Sequence, residues 1–457
     1  MVFPTHTFKA YDIRGLVEGE LSVDLAYRIG RAFGIFLKKN YHQNLKVVVG
    51  RDMRESSPGY ESAVVGGLTD EGWNVVEIGL ATTPLFNFAC AHYAEHAGGI
   101  MITASHNPAQ YNGFKMTLGN GLPVGKKTGM SDIRDLVEQG KFGLIEKKGT
   151  VEHLMVLGDY LKKVLSLVDV KSLKPCKVVI DCGNGMADVT FSALLEKLPV
   201  KVDYLFRDPD GRFPNHEANP LKAETLRDLQ RRVVETGADF GFALDGDADR
   251  VGLVDEEGKV VDPSFVGVLL GLEVLRKHPK AVMLYDLRSS MIVPETWEAH
   301  GAITEKCMVG HALIKKDLKE KGAMFASELS LHLYYHDMYD VESSDLSLLY
   351  VLQMLSREKK KLSALVAPLK KYAHSGEINF ETKHAAEIIV GLVKKYAGET
   401  VETSHLDGLF MRLSWGWMNV RMSNTEPLLR LNLETPNKEI TEEKIVEIGN
   451  FIKNFTT

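Results

Sequence analysis

Apolar strands that stop abruptly in charged residues recur along this chain, and that cadence limits the folds open to it. Short runs rich in β-branched residues stand at 46–50, 74–79 and 99–103, with helical stretches between them. Strands alternating with helices build α/β units around a mostly parallel sheet. The pattern restarts at 177–182 and again at 281–287, and each apolar run ends in polar residues: Arg51 and Asp52, then Asp181, then Asp286 and Arg288. The chain is therefore expected to fold as three similar α/β domains with mixed, mostly parallel sheets, since 457 residues exceed one ordinary core. A basic, helical segment at 358–371 precedes a strand at 377–381, a helix near 385–397 and strands near 410–413 and 418–421, which predict a smaller C-terminal α+β domain. The expected boundaries are 1–150, 151–254, 255–368 and 369–457.

Composition narrows the function classes. With 44% hydrophobic and 25% charged residues the chain is a folded globular protein rather than a disordered or fibrous one. Its charge sum, 55 minus 61 or −6, supplies no field for a nucleic-acid backbone, so no nucleic-acid partner is expected. Cys90, Cys176, Cys182 and Cys307 show no zinc-ligand spacing, and reduced thiols in the cytoplasm are the expectation. The amino terminus lacks a signal-peptide profile, and the longest apolar stretch, at 265–272, falls far short of the roughly 18 residues of a membrane span. No membrane association is expected.

Four segments carry chemistry. The first, Asp245-Gly246-Asp247-Ala248-Asp249-Arg250, lies between apolar strands at 240–244 and 251–254. Alternate residues of a straight strand lie about 6.6 Å apart, so the backbone must curl for all three carboxylates to reach one ion, and Gly246 permits a curl. Oxygen ligands alone point to a hard cation such as Mg²⁺, with positions left open for water or a phosphate oxygen. An EF-hand is excluded because Arg250 occupies its glycine position and strands flank the loop.

The second segment, Thr103-Ala104-Ser105-His106-Asn107-Pro108, follows a strand and leads through Asn112 and Gly113 to Lys115. A serine at the carboxyl end of a strand lies where α/β folds bind ligands, and once phosphorylated it supplies the anionic oxygen that the cation lacks. His106 is a sequence neighbour that need not reach the Ser105 hydroxyl. The third segment, Arg421-Met422-Ser423-Asn424-Thr425-Glu426-Pro427, collects donors suited to phosphate. In the fourth, Ser327 to Leu333, alternation sets Glu328, Ser330 and His332 opposite leucines. A half-buried strand accounts for that pattern, and a carboxylate with a hydroxyl and an imidazole also suits sugar hydroxyls. Fingerprints for dinucleotides and P-loop nucleotides fail on spacing.

In this order the segments resemble the α-D-phosphohexomutase family, which includes phosphomannomutase and phosphoglucomutase. The resemblance runs from Tyr11-Asp12-Ile13-Arg14-Gly15 through Ser105 to Lys115, Asn215-His216, the Asp245 loop, Gly310-His311 and Glu328 to His332, ending at Arg421 to Pro427. It implies four domains around a central cleft and an enzyme that interconverts hexose 6-phosphate and hexose 1-phosphate, of mannose, glucose or both. By resemblance Ser105 would be the phosphoserine, completing with Asp245, Asp247 and Asp249 the site for Mg²⁺, and a hexose 1,6-bisphosphate would act as intermediate and activator. Lys115, Arg14, Arg250 and His311 would serve charge neutralisation or proton transfer. Glu328, Ser330 and His332 would read the sugar, Tyr11 and Arg288 would line the cleft, and Arg421, Ser423, Asn424 and Thr425 would anchor the distal phosphate. Leu329 and Asn424 depart from the phosphoglucosamine mutase branch, which stands as the alternative beside a sugar-phosphate phosphatase and a non-catalytic phosphosugar-binding protein. Hexose phosphates are the expected partners, and a monomer or small homo-oligomer the expected state.

Overall fold

The computed structural model describes residues 3–41, 45–143, 147–422 and 428–455. Its first sheet runs Ile13–Leu16, Tyr111–Leu118, His96–Ile102, Lys46–Arg51, Asn74–Leu80, Val151–His153. The last four strands are parallel to one another, and Tyr111–Leu118 runs antiparallel to both strands beside it. Both faces are covered, as the period of two in a strand requires. Val47, Val49, Ile100 and Ile102 face a core closed by the helices Val23–Lys38 and Ser57–Asp70, whereas Val48 and Met101 face the rest of the molecule.

The second sheet, Val251–Asp255, Phe240–Leu244, Cys176–Asp181, Val200–Leu205, begins with an antiparallel hairpin and continues parallel. The third, Ile303–Cys307, Val282–Asp286, Phe325–Ser327, Leu333–Tyr335, Val341–Glu342, has three parallel strands followed by an antiparallel pair. A fourth, wholly antiparallel sheet packs on the helices Ala385–Lys395 and Lys438–Lys453 around its own core of Leu392, Met418, Leu431 and Ile448. The expected architecture is therefore present: three mixed α/β units and a smaller α+β unit.

Several expectations need correction. The first sheet takes in Val151–His153, so the first unit runs past the boundary expected at 150. The first three units are not separate cores: Phe86 and Phe88, Phe191 and Phe242, Trp297 and Leu348 belong to one contiguous apolar cluster. The strand expected across 327–333 is broken. Phe325–Ser327 and Leu333–Tyr335 are strands, but between them Leu331 has φ of +70° and its N–H bonds the Glu328 carbonyl, which closes a turn. The basic segment at 358–371 is interrupted as well, because Lys359 (φ +52°) ends the helix Ser344–Glu358 and helix resumes only at Leu362–Val366.

Candidate active site

The serine turn starts where the strand His96–Ile102 ends. Thr103 Oγ1 accepts the Ser105 N–H at 2.9 Å, and Ser105 itself takes φ of +50°, a region that non-glycine residues seldom occupy. The residue is buried, and its Oγ donates to Asp245 Oδ2 at 2.8 Å. His106, whose reach the sequence left open, does meet it, with Nδ1 at 3.2 Å from Oγ. Burial beside Arg250 and Arg14 pushes the His106 imidazole far down, so it is neutral.

The acidic loop curls as its spacing requires, but at a different residue. Ala248, not Gly246, takes the left-handed conformation (φ +59°), and Asp245 Oδ1 fastens the curl by accepting the N–H groups of Asp249 (3.0 Å) and Arg250 (3.1 Å). Gly246 is needed for close approach instead: a Cβ there would lie 2.4 Å from the Ser105 carbonyl oxygen. One carboxylate oxygen from each of Asp245, Asp247 and Asp249 lies within 4.8 Å of the other two. All three residues are buried, and Asp247 Oδ1 has no hydrogen-bond partner among the described residues. A buried orphan carboxylate oxygen in an all-oxygen donor set fits a hard divalent cation such as Mg²⁺.

Lys115 balances part of this charge, its Nζ lying 2.6 Å from Asp247 Oδ2 and 2.7 Å from Asp249 Oδ2. Burial and the two neighbouring aspartates push Asp245 well above the usual carboxylate range. Asp249 is held well below it, against burial, by Lys115 and His332. Thr83, capped into its helix by Thr82, joins the cage by donating to Asp247 Oδ2 at 2.7 Å.

A cleft of about 370 Å³ opens above this cage and draws its walls from all four units. Tyr11, Arg14, Ser105, Lys115, Asp249, Arg250, His311, His332 and Arg421 all line it, together with His106 of the serine segment and with Lys9 and Arg430, which the sequence reading did not single out. Arg14 bonds Asp12 Oδ2 (2.6 Å) and Asn107 Oδ1 (2.5 Å), tying the amino-terminal segment to the serine turn. His311, at the start of the helix His311–Lys321, packs edge-on to Tyr11, and burial with Lys315 and Lys115 nearby keeps its imidazole neutral. Arg421 bonds Glu377 at 2.8 Å.

Glu328, Ser330 and Arg288 stand back from the cleft walls. Glu328 accepts from the Gly310 N–H (3.2 Å) and the Tyr334 hydroxyl (3.0 Å) and lies 3.6 Å from Arg288, which in turn bonds Asp286 at 2.7 Å. Their link to the cleft is His332, 2.8 Å from Ser330 Oγ and 3.2 Å from both Glu328 Oε2 and Asp249 Oδ1. Those two carboxylates overcome burial and push His332 up to about 9. Ser423, Asn424 and Thr425 lie outside the described residues.

Charge balance on the cleft walls points to the ligand. Among the described residues that line the cleft, the cations Lys9, Arg14, Lys115, Arg250, Arg421 and Arg430 outnumber the carboxylates Asp12 and Asp249, an excess that suits phosphate. With a serine hydroxyl lining such a cleft, the site suits the class of proteins that transfer a phosphoryl group. Comparison with known proteins narrows the class. Residues 5–144, 158–258 and 262–372 match the three alpha/beta/alpha domains of phosphoglucomutase/phosphomannomutase, and residues 377–448 match its C-terminal domain. The phosphohexose mutase of Xanthomonas campestris pv. campestris is 36% identical over 448 residues, covering 98% of this chain and 99% of that protein. The phosphomannomutase of Vibrio cholerae is 36% identical over 455 residues, covering 98% of each. A phosphoglucomutase/phosphomannomutase family protein of Burkholderia thailandensis superposes with a TM-score of 0.88 at 30% identity, covering 98% of this chain and 96% of that one. The chain belongs to the phosphoglucomutase/phosphomannomutase family, and its enzyme class is that of the phosphohexomutases.

Proposed function

We propose that the protein is a Mg²⁺-dependent mutase that interconverts hexose 6-phosphate and hexose 1-phosphate, of mannose, glucose or both, through a phosphorylated Ser105 and a hexose 1,6-bisphosphate. The observation that carries the reading is the 2.8 Å bond from Ser105 Oγ to one of three buried, mutually close carboxylates. Asp245, Asp247 and Asp249 would hold Mg²⁺, with Ser105 or its phosphate as a further ligand. Bound there, the ion supplies charge neutralisation for a transferring phosphoryl group.

Transfer breaks the bond from Ser105 Oγ to phosphorus and forms one from phosphorus to a sugar hydroxyl oxygen. The hydroxyl proton needs an acceptor, and His311, kept neutral by burial and its lysine neighbours, is suited to take it. Ser105 Oγ leaves, the proton taken up by His311 is returned to it through solvent, and the restored hydroxyl donates to Asp245. Lys115, held charged by its aspartates, Arg14 and Arg250 offset the charge of the moving group. Tyr11 packs His311 in place at the cleft wall. Glu328 and Ser330 exchange bonds they now make with His332 for bonds to sugar hydroxyls, while the charges of His332 and, to a lesser degree, Arg288 hold Glu328 ionised against burial. Arg421, with Ser423, Asn424 and Thr425, anchors the distal phosphate, so that the bisphosphate can return its other phosphate to Ser105 after turning over. A bisphosphate supplied in trace therefore activates by phosphorylating resting enzyme. Four unpaired thiols suit a reducing, cytoplasmic compartment.

Ser105→Ala is the test. It is expected to abolish turnover of mannose 1-phosphate and glucose 1-phosphate while circular dichroism stays unchanged; full activity in that variant contradicts the reading.

A further inference from the structure

The carbonyl oxygens behind the serine turn converge on one guanidinium. Arg54 follows the strand Lys46–Arg51 and is 1% exposed. Its Nη2 donates to the carbonyls of Ser105 (2.9 Å) and Asn107 (2.6 Å), and its Nη1 to those of Pro108 (2.8 Å) and Tyr111 (2.9 Å). Nε donates to Asp52 Oδ2 at 3.1 Å. Arginine presents five N–H donors in a rigid fork, and these five bonds engage the whole set. Asp52 is itself fixed, since its Oδ1 accepts from the Arg54 N–H at 3.0 Å and from Ser57 Oγ at 2.6 Å. The Phe213 ring, from the second unit, lies 5.0 Å from the guanidinium carbon.

This clasp acts on the residue whose backbone most needs one. Ser105 holds φ of +50°, a conformation that persists in a non-glycine residue only when its surroundings impose it. Its carbonyl is gripped by Arg54 and closely approached by Gly246, where even a methyl group would lie 2.4 Å from the oxygen. With the carbonyl fixed, the Cα–Cβ direction is fixed as well, and from there Oγ meets Asp245.

We propose that Arg54 is the positioning residue of phosphoryl transfer: its fork fixes the backbone of residues 105–111 so that the Ser105 oxygen faces the carboxylate cage and the cleft together. The inference rests on Ser105 as the phosphoryl carrier. Arg54 does not line the cleft, so it governs the transfer step and not substrate binding.

The test is single-turnover transfer from phosphorylated enzyme to mannose 1-phosphate, normalised to phosphoserine content by intact mass, together with steady-state kinetics. Arg54→Lys keeps the charge opposite Asp52 but has three donors on a flexible stem in place of the fork. Its transfer rate and kcat are expected to fall by on the order of 100-fold, the cost of misplacing a reacting atom by about 1 Å, with KM within about threefold of wild type. Arg54→Gln combined with Asp52→Asn removes both buried charges, sparing the fold a lone one, and is expected to show the same selective loss. A transfer rate within about threefold of wild type in either folded variant overturns the proposal, as does a KM that changes in step with kcat. Ser105→Ala, run beside them, separates the two readings. If that variant is dead while Arg54→Lys is fully active, only the positioning role fails; if it is active, the phosphoserine reading fails and the positioning role with it.

Discussion

Lys115 places a single ammonium against two buried carboxylates, and its fate without that charge follows from simple electrostatics. Breaking a buried pair by removing one partner leaves an uncompensated charge, at a cost of about 3–5 kcal/mol. Lys115→Met is therefore expected to lower stability by about that much in magnesium-free buffer, because Asp247 and Asp249 lose their neighbour at 2.6 and 2.7 Å. Magnesium should restore much of the loss by supplying the missing positive charge. Thermal melts with and without Mg²⁺ check this, and an equal loss in both conditions contradicts it. At this scale the acidic loop was legible because three crowded carboxylates need a reason to be together. The residue that curls the loop was not, since Gly246 is the obvious candidate by sequence and the strain falls on Ala248. His332 was legible as a polar residue near the sugar segment, but its ion pair with Asp249 was hidden, because the partner comes from another unit.

Among the elements, the segment at 327–333 shows how periodicity misleads. Its alternation of leucines with polar residues is genuine, but it arises in a turn clamped on both sides. The Val251 N–H bonds the Leu331 carbonyl, and the Glu328 N–H bonds the His332 carbonyl. A period of two in so short a run cannot tell a strand from a turn, and burial here does not alternate, since Glu328, Leu331 and His332 are buried while Leu329 and Ser330 are half-buried. The helix Ser344–Glu358 offers a cleaner test of what burial does. Ser343 caps it, and in its first turn Asp345 is wholly buried, with the Tyr160 hydroxyl donating to Oδ2 at 2.7 Å and Oδ1 without a hydrogen-bond partner among the described residues. Burial pushes Asp345 up from 3.8 to about 6, against the bond from Tyr160. Between those values the folded state holds a proton that the unfolded state has lost, so this group's contribution to stability falls as pH rises from 3.8 to about 6 and is constant above. About two units correspond to roughly 3 kcal/mol. Asp345→Asn keeps an acceptor for Tyr160 and removes the titration. Its stability relative to wild type should therefore rise by up to that amount across the interval in urea melts, and a difference that does not change with pH contradicts the assignment.

On the scale of the whole molecule, the strand cadence disclosed three α/β units and a different fourth, since strand ends carrying charge mark the ligand-binding edge of each sheet. It could not disclose that the first three share a core. Val47 and Val48 are the same residue type, and only the topology sends one into the first unit's own core and the other into the common one. The fourth unit is joined differently, through a small cluster of Leu287, Phe410 and Trp417 and a bond from the Met291 N–H to Glu434 at 2.9 Å. It carries Arg421 and Arg430 to the cleft that the other three units surround. Among the described residues no helix is long and apolar enough to cross a membrane. The proposed function, with Ser105 as phosphoryl carrier on one side of the cleft and a phosphate anchor on the other, requires that the sugar phosphate leaves isomerised and not hydrolysed. Phosphorus NMR decides this most directly, with purified protein, Mg²⁺ and a trace of glucose 1,6-bisphosphate, fed mannose 1-phosphate or glucose 1-phosphate in parallel. A 6-phosphate signal that grows while total sugar phosphate stays constant is the predicted result, and inorganic phosphate accumulating at the rate of substrate loss would contradict it.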